Sequence, residues 1–358
     1  MNTPAAYGDY ADKHYKVLND IDLSGYISGT GWIPVGSDST QPFKGILDGN
    51  GKKISGLYIN DSAYVDIGRY GLFGEVVSAT ITDLDIVGAD ITAPQYAGVL
   101  AGNISESTVT GCNATGMVTV TGTIGGGLIG SVLNSSLENC SANVNVMVQD
   151  NAGGLAGYAR DAEILNCSAA GDVSGGDNVG GVAGYADCTD VKNCYATGNV
   201  NGNSNDNNSW YAGGVVGYAE NANILSCYAT GAIFGFGSVG GVAGSIVSVG
   251  FVDCVVKDCA ALNSSVGGTG SSVGRVIGYK NGISTATDNV AWGAMSNSGS
   301  APFSSAPGLG GTNITATEIT GDGTIGGRFT AVGGWTTANG KLPGLFGNTV
   351  GMPSWLVD

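Results

Sequence analysis

Eight cysteines are the residues of this 358-residue chain best equipped for chemistry, because a thiolate can attack carbon, bind a metal or close a disulfide. Six of them recur at one place in a repeated phrase. Ten residues after each of Gly102, Gly130, Gly157, Gly184 and Gly217 stand Cys112, Cys140, Cys167, Cys194 and Cys227. In a sixth copy, after Gly244, either Cys254 by counting or Cys259 by its Val-Lys-Asp-Cys context fills the column. A zinc site wants two clusters of cysteines, each pair two to four residues apart, and one cysteine per repeat does not supply them. Column neighbours could approach disulfide distance, but in-register side chains point parallel and the disulfide torsion is strict. A buried thiol packs as a small hydrophobe. The reading is therefore a structural column of Cys112, Cys140, Cys167, Cys194, Cys227 and Cys259, with disulfides as the alternative and metal behind both. Cys188 lies outside the column and is the expected exposed thiol.

Other chemistry is sparse. Asp161, Glu163, Asp187, Asp190 and Glu220 cluster at one corner of successive repeats, but their identities vary as solvated turn residues do, and a glycosidase pair needs two carboxylates at a fixed separation. Ser-His-Asp catalysis would rest wholly on His14, the one histidine. No Gly-Lys-Ser/Thr follows the glycine-rich stretches, so they are not phosphate loops. No catalytic residue, cofactor or metal is assigned.

Aromatic residues offer binding instead. Tyr158, Tyr185, Tyr218 and, after a break at Ser245, Tyr279 follow the reference glycine and point outward by period-two alternation. Such rings can carry a sugar or simply stack on one another. Trp210 and Tyr211 end an Asn-rich insertion containing Asn207 and Asn208, and Phe234 and Phe236 sit at nearly the same corner one repeat later. Rings beside amides are the ingredients of a glycan or peptide site. The candidate ligand-binding set is Trp210, Tyr211, Phe234, Phe236, Asn207, Asn208, Tyr185 and Tyr218; the alternative is a loop tucking its own aromatics against the scaffold.

The scaffold follows from the repeat. Aliphatic residues occupy fixed positions (Leu128, Leu155, Val182, Val215, Val242; Val109, Leu137, Ile164, Val191, Ile224), an alanine column lies two residues past the cysteine, and Gly, Asn or Ser precedes the cysteine. Each 27- to 28-residue copy reads as three short extended pieces separated by Gly, Asn, Asp and Ser corners. Self-similarity at that period marks a solenoid, here all-β: a parallel β-helix of three-strand coils. About eight coils from Gly74 to Gly278, spaced about 4.8 Å, make a rod of roughly 40 Å. Intervals of 33 residues (Gly184 to Gly217) and 34 residues (Gly244 to Gly278) mark insertions, which bulge at corners. Residues 1–70 read as opening coils covering the first rung, 71–292 as the repeat, and 293–358, with Trp335, Leu345, Phe346 and Trp355, as a segment covering the last, because open ends would template aggregation.

Composition narrows the partners. With 29 acidic against 13 basic residues the net charge is -16, which repels phosphate backbones and anionic lipid, so no nucleic-acid partner and no membrane insertion are expected. No apolar run reaches the length of a membrane helix. Met1 does not open a signal peptide; a leader removed upstream is the expectation.

Gly127-Leu128-Ile129-Gly130, Gly154-Leu155-Ala156-Gly157 and Gly214-Val215-Val216-Gly217, with Asn193-Cys-Tyr-Ala-Thr-Gly198, resemble the GLUG repeat of bacterial surface proteins. Asn19 to Leu23 and Leu47 to Gly51 resemble the segments preceding such repeats. The resemblance implies a right-handed parallel β-helix on a secreted or surface-anchored, adhesin-like bacterial protein. GLUG repeats also accompany immunoglobulin-cleaving metallopeptidases, but no His-Glu-x-x-His is present here. The expected function is non-enzymatic adhesion or binding of a glycan or extracellular protein; the alternatives are a polysaccharide-cleaving lyase or glycosidase, or a passive spacer.

Overall fold

The structure, a computed structural model, describes residues 11–37, 40–61, 68–202, 211–270 and 272–356. It is an all-β parallel solenoid of about nine turns, 50% strand and 3% helix. Strands pair in parallel with their counterparts one coil on, as in the series Ile129, Ala156, Ala183, Val216, Ala243 and Ile277. Three sheets run along the rod: an eight-stranded one from Phe73–Val77 to Ile277–Asn281, a six-stranded one from Ile124–Gly126 to Ser272–Gly274, and a large one bent around the cysteine corner.

Alternation decides what faces inward. Along Ala183–Asp187, Ala183 and Ala186 are buried while Tyr185 and Asp187 face out. The inward columns are small and branched, and Leu128, Leu155, Val182, Val215, Val242 and Val276 are wholly buried. Alanine fills the column from Ala114 to Ala261 because a glycine column packs against it. A Cβ added at Gly181 would lie 2.6 Å from the Ala196 methyl carbon and would strike the Gly214 carbonyl. The cysteine corner turns through left-handed backbone: φ is 54° at Asn139, 52° at Asn166 and 53° at Asn193, a conformation asparagine tolerates. Their side chains form a ladder, Asn166 Nδ2 donating to Asn139 Oδ1 and Asn193 Nδ2 to Asn166 Oδ1, each at 3.3 Å.

Both ends differ from a pair of simple caps. His14–Lys16 pairs in parallel with Ile46–Ser55, which pairs with Thr80–Ala93, so the opening segment continues the rod. Its first described rung leaves an apolar cleft of about 570 Å³ lined by Tyr15, Val17, Leu18, Trp32 and Phe43. At the other end Thr312–Ile314 adds a strand to Val290–Trp292. The chain then leaves the axis and folds back as a flap along the flank. A short helix, Ala316–Thr320, begins at a Thr315/Glu318 capping box. Beyond it Phe329 and Trp335 pack on Tyr228, whose hydroxyl donates to the Pro343 carbonyl at 2.5 Å. A stacked pair of outward rings, Tyr195 and Tyr228, offers Trp335 an apolar surface on the side of the rod, and Trp355 Nε1 donates to the Leu262 carbonyl at 3.1 Å.

Candidate functional site: a tyrosine-lined flank

The residue after the reference glycine forms one in-register column on the outer face of the eight-stranded sheet: Glu75, Asn103, Ser131, Tyr158, Tyr185, Tyr218, Ser245 and Tyr279. Its middle is aromatic. Tyr158 and Tyr185 have ring centroids 5.2 Å apart, Tyr185 and Tyr218 5.0 Å, both edge-to-face at 81° and 83°. Neighbouring rings are therefore turned against each other, the favourable quadrupole geometry, and do not form one flat platform. Tyr211, from the six-stranded sheet, joins Tyr218 at 4.7 Å. The Tyr185 hydroxyl donates to the Glu220 carboxylate at 2.9 Å. Burial, then that carboxylate, pushes the Tyr185 phenol up, and burial followed by the Glu220 charge pushes Tyr218 up to about 12. Both phenols stay neutral donors.

Of the residues singled out in the sequence, the structure thus brings Tyr185, Tyr218 and Tyr211 together. Phe234 and Phe236 are exposed at 37% and 41% on the adjoining face, at and just past the strand Ile233–Gly235. Asn207, Asn208 and Trp210 lie outside the described residues.

The corner carboxylates are engaged by neighbours. Arg160 lies 3.3 Å from Asp187 and 3.5 Å from Asp161, and Lys192 lies 2.6 Å from Asp190 and 3.7 Å from Glu163. Such partly exposed pairs contribute little stability. His14 is exposed on the first described rung, in a different sheet from the tyrosines. Among the described residues no group of three or more His, Cys, Asp or Glu is arranged to hold a metal ion.

All eight cysteines are free, so the disulfide alternative is not realised. Cys259, not Cys254, stands in the column. The backbone N–H of Cys140 donates to Cys167 Sγ, Cys167 to Cys194, Cys194 to Cys227 and Cys227 to Cys259, each at 3.4 Å. Each of these thiols donates to the carbonyl two residues before it, at 3.2 Å in Cys140. Burial pushes the thiols of Cys112, Cys194 and Cys259 up, to about 12 for Cys112. They satisfy backbone groups where the chain turns.

Two features escaped the sequence reading. One is the Tyr195/Tyr228 stack, parallel at 5.2 Å and covered by Trp335. The other is the polar end of the tyrosine column. Glu75 is buried in an ion pair with Arg69, accepts from Asn103 Nδ2 at 2.5 Å, and the Arg69 guanidinium lies 5.0 Å over the Tyr96 ring. Following the post-glycine column back past Tyr158 would have found Ser131, Asn103 and Glu75; Arg69 and Tyr96 lie outside its register.

Residues 121–147, 150–174, 175–201 and 208–233 match the GLUG motif family. The chain carries four GLUG motifs. Tyr158, Tyr185, Tyr211 and Tyr218, with Cys140, Cys167, Cys194 and Cys227, all fall within GLUG coils. A protein of Evansella cellulosilytica named "Putative Gly-rich membrane protein" is 38% identical over 95 residues, which is 25% of this chain and 11% of that protein. Halomucin of Haloquadratum walsbyi is 34% identical over 96 residues, 25% of this chain and 1% of halomucin. This chain therefore matches only a small part of the length of either relative. A crystal structure described as a putative immunoglobulin A1 protease from Bacteroides ovatus aligns with 96% of this chain and 87% of its own at 18% identity, with a TM-score of 0.42.

Proposed function

We propose that this GLUG-repeat rod is a non-enzymatic surface protein that binds a glycan or an extracellular protein along its tyrosine-lined flank. The observation that carries the reading is the contiguous run of half-buried rings, Tyr158, Tyr185, Tyr218 and Tyr211, on the outer face of a regular rod. Tyrosine offers apolar area with a polar tip and is favoured where one side of a contact is wet. Phe234 and Phe236 extend the exposed aromatic surface toward the next face. Display at the cell surface is supported by the relatives, one named as a membrane protein and the other as halomucin. Engagement of the corner carboxylates by Arg160, Lys192 and Tyr185 weighs against an acid/base pair among them.

Glycan-array and cell-binding measurements on the chain and on a Tyr185→Ala/Tyr218→Ala/Phe234→Ala/Phe236→Ala variant test the reading. Signal lost in the variant is expected; signal equal in both refutes the flank as the binding surface, and no signal from either favours a spacer. Incubation with a polysaccharide panel runs alongside. New reducing ends or unsaturated products would overturn the non-enzymatic assignment.

A further inference from the structure

The tyrosine column has two positions without a ring, Ser131 and Ser245, and they differ in what surrounds them. Ser245 is fully buried and its hydroxyl is sealed with no partner among the described residues. Ser131 opens instead onto a groove of about 370 Å³, shared with Arg69, Tyr96, Asn103, Asn151, Tyr158 and Tyr185. That volume lies at the lower end of the range of about 300–1,000 Å³ usual for small-molecule sites.

The groove is built from both kinds of surface a sugar needs. Tyr96 stands at one side, its ring under Arg69, and Tyr158 stands one coil beyond Ser131. Between them are hydrogen-bonding groups with capacity to spare. Ser131 and Asn103 are each more than nine-tenths buried and line the groove, Asn103 with its Nδ2 held by Glu75, and neither is among the described side chains whose polar atoms are sealed without a partner. Asn151 accepts from Asn178 Nδ2 at 2.6 Å, and its own Nδ2 makes no bond among the described residues. Polar groups that line an open groove are met by water, and an incoming hydroxyl can take that water's place. Formal charge is cancelled within the site, because Arg69 is paired with Glu75. A ligand recognised here is therefore selected by hydroxyl pattern and a flat apolar face, not by charge.

We propose that the groove around Ser131 is a binding site for one neutral pyranose unit, a hydroxyl edge meeting Asn103, Ser131 and Asn151 and a ring face meeting Tyr158 or Tyr96. It lies at the opposite end of the tyrosine run from Tyr211, Phe234 and Phe236. It deepens the binding reading by naming a ligand class, and it can fail while that reading stands.

The full chain is titrated with methyl glycosides of neutral hexoses and, in parallel, with methyl glucuronide, using saturation-transfer NMR. Saturable binding of at least one neutral glycoside is expected, with a dissociation constant on the order of 1 mM. Ser131→Tyr restores the ring that Tyr158, Tyr185 and Tyr218 carry at the equivalent place, so it fills the groove with a side chain the neighbouring coils already accommodate. It should weaken binding at least ~10-fold. Asn151→Leu, at the rim, provides a second variant and should weaken binding in the same direction, whereas Phe234→Ala/Phe236→Ala should leave it unchanged. No saturable binding of any neutral glycoside, binding by both groove variants as tight as by the unchanged chain, or preference for the glucuronide would each overturn the site. Loss of cell or array signal on changing Phe234 and Phe236, with Ser131→Tyr silent, would overturn this site alone and leave the proposed function in place.

Discussion

The backbone N–H of Cys259 donates to Asn289 Oδ1 at 2.9 Å. In the four preceding coils the equivalent N–H goes to a cysteine sulfur, so Asn289 stands where a further column cysteine would. Its Nδ2 donates in turn to the Val256 carbonyl at 2.8 Å, the place where Cys259 Sγ lies 3.4 Å from the Ile224 carbonyl one coil back. One amide thus completes what the thiols repeat.

Asn289→Ala should destabilise the C-terminal coils, because it strands a buried N–H and a buried carbonyl; about 1–3 kcal/mol is expected. Asn289→Cys retains a donor and an acceptor at that position and should cost less. Urea titration by circular dichroism ranks the two. Equal loss in both would mean that geometry, not hydrogen bonding, selects the residue there.

Gly181→Ala should cost more than an ordinary surface change, since its Cβ would lie 2.6 Å from the Ala196 methyl and press on the Gly214 carbonyl. Overpacking of this kind costs typically about 1–3 kcal/mol. Gly25→Ala, whose Cβ meets nothing within 4 Å, is the matched control. A lower unfolding midpoint for the first variant alone is the expected result.

Thiol labelling should separate one cysteine from seven. Cys188 is exposed and the rest are buried, so a maleimide should label one site in the native chain and eight in denaturant. Burial, then the hydrogen bond and charge of Asp187, raise the Cys188 thiol. The thiolate fraction at pH 8 is therefore smaller than for an ordinary cysteine near about 8.5, and the labelling rate should still be climbing above that pH. Asp187→Asn removes a raising influence and should shift the profile downward.

Removing the flap's anchor should release the flap without melting the rod. Trp335 packs on Tyr195, Tyr228 and Phe329, and truncating a buried tryptophan to alanine costs about 3–5 kcal/mol. In Trp335→Ala, limited proteolysis should cut within residues 316–356 while the 71–292 fragment persists. Simultaneous loss of both would make flap and rod one cooperative unit.

The rod was legible because its signals are periodic. Leu155, Val182 and Val215 recur at a fixed phase, and asparagine at the corner has a physical reason in its left-handed φ. The flap was not, because Phe329 and Trp335 belong to no repeat and their target, Tyr195 with Tyr228, occupies a column that in the other cysteine coils holds Asn, Ser or Ala. The groove at Ser131 was hidden for a related reason. A serine in a tyrosine column reads as variation, and only the surroundings distinguish the open gap at Ser131 from the sealed one at Ser245. Arg69 and Tyr96 reach the groove from outside the column.

Stacked coils ordinarily come apart from an end, one at a time, since each holds only its neighbours. The flap changes what such peeling requires. Arg328 bonds the Asp288 carbonyl, Trp355 that of Leu262, Pro343 receives the Tyr228 hydroxyl, and Gly333 receives Asn193. These four anchors lie in four successive coils, so a pull on the coil of Asp288 is shared by the three behind it. Under tension along its axis the C-terminal end should yield as a block, in shear, and not unzip rung by rung.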